Sequence, residues 1–202
     1  HEPNLLTVLR REGYRVWWGG KNDLVRVQER EDYLRYCDTK FWPAGQYMEH
    51  MEYKQPPPLA ADDPRHGAFY RGVLRRDGDG DTQFDGDKAC VLGAVDMIRN
   101  YSGDQPFACY LPLSKPHPPY CAEEDYYNAI NPDALPTRIP APSGEANLPP
   151  VLDALRNAYR SQDITEDMWR DVKRIYYAMC AQVDALFGRV VDALVERGIY
   201  DD

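Results

Sequence analysis

Residues 5–24, LLTVLRREGYRVWWGGKNDL, carry the reading on which the fold turns. Leu5, Leu6 and Leu9 form an apolar patch at helical spacing, Pro3 suits a first turn, and Gly13 is the expected stop. Tyr14 to Trp18 then has the aromatic and β-branched content of a buried strand. Gly19-Gly20-Lys21-Asn22-Asp23 follows as a polar loop, so a lysine emerges just after a strand. Active groups of α/β proteins often stand at that place.

The same alternation returns downstream. Cys90, Ala94, Met97, Ile98 and Tyr101 share one face of a helix of about three to four turns, ending near Ser102-Gly103. Phe107 to Leu113 is the next strand, and Pro112 puts its end at an edge or outside the sheet. Ser114-Lys115-Pro116-His117-Pro118-Pro119-Tyr120 comes directly after it, a stiff loop whose three prolines restrict the backbone around one histidine and one lysine. A final helix starts after Asp163, whose spacing to Glu166 fits a capping box, and reaches about Arg197 before Gly198. Its apolar residues Met168, Val172, Ile175, Met179, Val183, Leu186, Val190 and Leu194 advance by threes and fours. A continuous helix of about 33 residues would run roughly 50 Å, which is long for a compact domain of this size. It is expected either to bend near Gly188 or to pack on a larger sheet than these residues contain.

Between these elements the signals weaken. Residues 24–54 keep no period for more than a few positions. Residues 55–87 read as an irregular insertion, broken by Pro56-Pro57-Pro58 and Asp62-Asp63-Pro64 and closed by the turn-rich run Asp77 to Asp87. Residues 131–150 hold six prolines and read as a crossing loop.

Composition bounds the function. The 202 residues suffice for one domain or a large piece of a bigger one. With 24 Lys and Arg against 33 Asp and Glu, the net charge is -9, which opposes a broad grip on nucleic acid or anionic membrane. No apolar run approaches the roughly 20 residues of a membrane span, and HEPNLLTVLRREG lacks the pattern of a secretory signal. The start at His1 leaves room for a longer precursor. Five cysteines at 37, 90, 109, 121 and 180 form no CxxC, and an odd number disfavours a complete disulfide framework, so a reducing, cytoplasmic compartment is expected.

The residues offering chemistry are few. Lys21, Lys115 and His117 stand in strand-end loops where cations and hydrogen-bond donors can hold an oxyanion. The competing reading for both lysines is a solvated amine, and for His117 a structural imidazole fixed by its prolines. His50 and His66 lack ligand spacing and read as structural or exposed. Asp77, Asp79, Asp81, Asp85 and Asp87 could attract a divalent cation, but a twelve-residue calcium loop counted from Asp77 has Thr82 where glycine belongs and Lys88 where glutamate belongs. A solvated acidic loop is the expectation. No Walker loop, dinucleotide fingerprint or HExxH helix occurs, and the cysteines read as buried thiols.

Three ordered segments resemble the middle of a sulfatase of the alkaline-phosphatase-like superfamily, of the arylsulfatase or choline-sulfatase type. They are LLTVLRREGYRVWWGGKNDL at 5–24, PFACYLPLSKPHPPY at 106–120, and YYAMCAQVDALFGRVVDALVERGIYDD at 176–202. The resemblance implies an α/β fold, part of a sandwich with a mainly parallel central sheet flanked by helices, and residues 1–202 as an internal portion of the catalytic domain. It implies hydrolysis of a sulfate monoester in a small sulfated substrate by a formylglycine nucleophile beside calcium. On that resemblance Lys21 is a sulfate-contacting cation, His117 the active-site histidine at the sulfate or leaving-group side, and Lys115 a neighbouring cation. Many members carry a histidine two places after the glycine-lysine lysine, where this chain has Asp23. Asp184 and Gly188 match the family's last-helix pattern, with a packing or helix-capping role expected, and a core or structural one for Asp184. The nucleophile motif and the metal-ligand pairs would lie outside 1–202, in the remaining parts of the same domain, so no metal ligand is expected here and the isolated chain is expected to be inactive. The alternatives are a phosphonate or phosphate ester hydrolase of the same superfamily, or a noncatalytic structural or binding module.

Overall fold

A computed structural model describes residues 3–27, 29–48, 52–139 and 149–201. In chain order the elements are α1 (Leu5–Arg11), β1 (Arg15–Trp18), β2 (Thr39–Lys40), β3 (Tyr70–Leu74), α2 (Gly86–Asn100) and β4 (Phe107–Tyr110). Then come β5 (Tyr120–Glu123), α3 (Glu124–Ala129), α4 (Pro150–Ala158) and α5 (Glu166–Glu196). They form two compact units, the first from His1–His50, Phe84–Ser114 and Asp184–Asp202, the second from Met51–Gln83 and Lys115–Val183.

The first unit is built on a parallel sheet of order β2-β1-β4, with Trp18 beside Lys40 on one side and Tyr110 on the other. Val16, Trp17 and Trp18 are all buried, as expected where both faces of a parallel sheet are covered. Period-two alternation sorts its neighbours. Val16, Trp18, Ala108 and Tyr110 pack with Leu6, Tyr33 and Cys37, whereas Phe107 joins Val91, Val95 and Ile98 of α2 and Leu186 and Ala193 of α5. α1 starts at an Asn4–Thr7 capping box, in which Thr7 N donates to Asn4 Oδ1 at 3.1 Å and Asn4 N to Thr7 Oγ1 at 3.0 Å. It stops at Gly13, whose φ is +88°. Leu6 supplies the buried contact, and Leu5 points outward at 67% exposure.

In the second unit β3 and β5 pair in parallel, with a register shift between Tyr70 and Gly72. Ala68, Tyr70 and Ala122 pack there against Val172, Ile175, Ala178 and Met179 of α5. β3 lies inside the 55–87 stretch read as irregular, because Gly72 and Pro56 beside it hid a strand that only its pairing with β5 stabilises. Within 131–150 the described residues include a 3-10 turn at Pro132–Ala134 and the start of α4, while 140–148 lie outside the described residues.

The expected stripe of α5 is inward-facing, and helical geometry runs without interruption through Gly188 over Glu166–Glu196. Its cap differs from the expected one. Thr165 Oγ1 accepts from Met168 N at 3.2 Å, while Asp163 ends a 3-10 turn and pairs with Arg160 at 2.9 Å, since that turn places its carboxylate short of the helix amides. Asp184 is exposed, so it has no core role.

Candidate active-site loops

The loop after β1 is held from several directions. Gly19 N donates to Tyr110 O and Lys21 N to Pro112 O, each at 3.0 Å, tying it to the end of β4. Trp18 Nε1 donates to Lys21 O at 3.1 Å. Gly20 has φ +83°, and a Cβ there would lie 2.1 Å from the Pro112 oxygen, so glycine is required twice over. Past the lysine, Asn22 Oδ1 accepts from Leu24 N and Val25 N at 3.0 and 3.1 Å and turns the chain away. Because β1 has its sequence neighbour β2 on one side and β4 on the other, the order reverses at its carboxyl end. That is where open α/β sheets place their ligand crevices. Lys21 stands there with 41% of its side chain exposed, its Nζ 2.6 Å from Asp23 Oδ2.

Sequence reasoning overlooked Lys40. Its Nζ donates to Gly20 O at 2.6 Å and lies 5.3, 5.2 and 4.9 Å from the ring centres of Trp18, Tyr33 and Trp42. Burial lowers its pKa, with Cys90 and Cys37 pulling the other way. Burial also raises the Cys90 thiol, against which the Gly20 backbone amide acts as a counterweight. The hint was the aromatic run Phe41-Trp42 beside a lone lysine, which has no period to betray it.

The proline-histidine loop opens the second stretch of the second unit, Lys115–Val183. Its Lys115–Pro116 and Pro118–Pro119 bonds are cis. His117 is exposed, and its Nδ1 lies 2.6 Å from Pro118 O. A carbonyl only accepts, so Nδ1 carries a proton and donates it to Pro118 O. Lys115 is half-buried in the same loop. Burial pushes the Cys121 thiol up to about 11, while Lys115 and Arg71 oppose that rise. The structure thus brings Lys115 and His117 onto one loop of the second unit and places Lys21 in the first.

The acidic ladder divides. Asp85 caps α2, accepting from Asp87 N and Lys88 N at 3.0 and 3.1 Å, and buried Asp87 accepts from Ser114 N at 2.8 Å. Asp77, Asp79 and Asp81 are exposed. Among the described residues no three His, Cys, Asp or Glu side chains converge on a possible metal position. These described residues therefore do not form a ligand set that fits calcium. His66 Nε2 lies 3.0 Å from Ala60 O at the surface, and His50 falls outside the described residues. All five cysteines are free, Cys37 and Cys90 buried and the other three half-buried. Among the described residues no helix is long and apolar enough to cross a membrane.

A parallel sheet with a glycine-lysine loop at its switch point, followed by a proline-histidine loop, defines the class, and the sulfatase family model matches residues 1–202: the chain belongs to the sulfatase family. It is 30% identical over 128 residues to arylsulfatase K of Danio rerio, covering 52% of this chain and 23% of that protein. To arylsulfatase K of Gallus gallus it is 32% identical over 116 residues, 47% of this chain and 20% of that protein. The matched stretch thus spans about a fifth of either relative's length.

Proposed function

We propose that this chain is a portion of a sulfuric ester hydrolase that cleaves a sulfate monoester, and that it contributes charged loops to that reaction. The observation that carries the reading is Lys21, a cation fixed at the carboxyl end of β1 where the strand order reverses. Its ammonium suits a sulfate oxygen, whose charge it neutralises as the ester bond breaks. His117, with its Nδ1 proton held by Pro118, presents Nε2 for proton exchange with a leaving-group oxygen. Lys115 adds positive potential in the same loop. Calcium and the formylglycine nucleophile belong, on this reading, to residues of the parent domain other than those described.

The test is turnover of an aryl sulfate by the complete protein. Lys21→Ala is expected to lower kcat/KM by ~100-fold or more, and His117→Ala by ~100-fold or more with a changed pH profile, both with unchanged circular dichroism. Wild-type turnover in either variant rejects that residue's role. Hydrolysis of phosphonate esters with none of sulfate esters would transfer the reading to the phosphoryl branch of the superfamily.

A further inference from the structure

We infer that Lys40 is a positioning residue for Lys21, holding the glycine turn from which Lys21 projects; the inference rests on Lys21 being the sulfate-contacting cation. The strand register places Lys40 beside Trp18, the last residue of β1, so a side chain from the neighbouring strand reaches the loop just beyond. There its ammonium donates to Gly20 O at 2.6 Å. Trp18, Tyr33 and Trp42 surround the same nitrogen at 4.9 to 5.3 Å, within the range of cation–π attraction. Among the described residues no carboxylate pairs with it. An amine half-withdrawn from water with no acid partner is an unusual choice for mere packing, since burial alone disfavours its charge. The aromatic faces and one carbonyl together replace its water.

The peptide it grips matters most. Gly20 sits at positive φ against the Pro112 oxygen, and the next amide, that of Lys21, donates to that oxygen. The carbonyl of Gly20 and the amide of Lys21 belong to one peptide group. Lys40 from β2 therefore holds one end of this plane and Pro112, beyond β4, the other. Rotation of the plane about the Gly20 Cα–C bond would swing the Lys21 Cα, and a shift of about 1 Å in a positioned group can cost ~100-fold in rate. Lys40 touches no substrate; it acts through Lys21.

A double-mutant cycle in the complete protein tests this, read as kcat/KM on an aryl sulfate. Lys40→Met is expected to cost about tenfold or more, Lys40→Arg to recover most of that loss, and Lys40→Met added to Lys21→Ala to cost less than about twofold. A role in folding alone would lower the active fraction by the same factor in both backgrounds, and that result overturns the inference. Wild-type activity in Lys40→Met overturns it as well. If Lys21→Ala itself leaves turnover intact, the sulfate role of Lys21 falls first and takes this inference with it. Should Lys40→Met fail to fold by circular dichroism, the partly exposed Trp42→Leu takes its place, loosening the cage while keeping the ammonium. The same coupling to Lys21 is expected, and equal losses in both backgrounds refute it.

Discussion

Asp23 Oδ2 lies 2.6 Å from Lys21 Nζ, so the lysine assigned to sulfate already carries a carboxylate. Asp23 is 72% exposed, and such surface pairs contribute about 0.2–1 kcal/mol. On the proposed reading, an arriving sulfate competes with Asp23 for the ammonium, at small cost. Asp23→Asn should therefore lower KM for an aryl sulfate, and the inhibition constant of inorganic sulfate, by about 1.5- to fivefold. Steady-state kinetics at low ionic strength reads this, and a raised KM would show that Asp23 helps rather than competes.

Gly20→Ala should damage the protein in two ways. A Cβ would lie 2.1 Å from the Pro112 oxygen, at a backbone conformation that alanine adopts only with strain. Roughly 1–3 kcal/mol of stability is expected to be lost. Urea denaturation measures that loss, and a midpoint equal to wild type would mean that the turn relaxes freely.

The second unit depends on Asp171 of α5. Its carboxylate accepts from Tyr70 of β3 and Tyr127 of α3, and pairs with Arg65, which also holds Asp63. Burial first, then Asp171, raises both phenols above their ordinary range. Asp171→Asn should cost roughly 1–3 kcal/mol by leaving a phenol opposite an amide donor. Tyr127→Phe, which removes one donor from a group retaining others, should cost about 1 kcal/mol. Thermal melts of the two variants compare these losses directly, and equal Tm values for wild type and Asp171→Asn would show that the cluster contributes nothing.

High pH should loosen the chain through its thiols. Burial pushes Cys109 up to about 12 and Cys37 up to about 11, from an ordinary value of 9.0. The folded thiols hold their protons after those of the unfolded chain have begun to ionise. Their contribution is full below about pH 9 and declines between pH 9 and about 12. Urea midpoints should be level from pH 7 to 8.5 and fall by pH 10.5. Cys109→Ala should reduce that fall, and a slope identical to wild type would exclude Cys109 as a source. Alkylation of Cys109 at pH 7.5 should be slow for the same reason.

Much of the fold was legible in local pattern. The residue types of α1 and β1, the inward face of α2 and the stripe of α5 each report burial within a few positions, and the structure follows them except at Leu5 and Tyr14, which face outward. β3 was not legible. Its residues include Gly72 at φ +110°, and a parallel pairing to β5 some fifty residues away supplies what propensity lacks. Asp163 matched a capping spacing, yet Thr165 won because a cap depends on where the first helical amide points.

The site divides along the same line. By itself the sequence determined that a glycine-lysine loop follows one buried strand and a proline-histidine loop follows a second strand, because strands, turns and prolines are written in neighbouring residues. Only the tertiary structure decided what surrounds Lys21. The cage around Lys40 draws on residues 18, 33 and 42, and its carbonyl partner is 20 residues away. Those groups meet because β2 lies beside β1 in one register, and register is a property of packed strands that no short window of sequence contains.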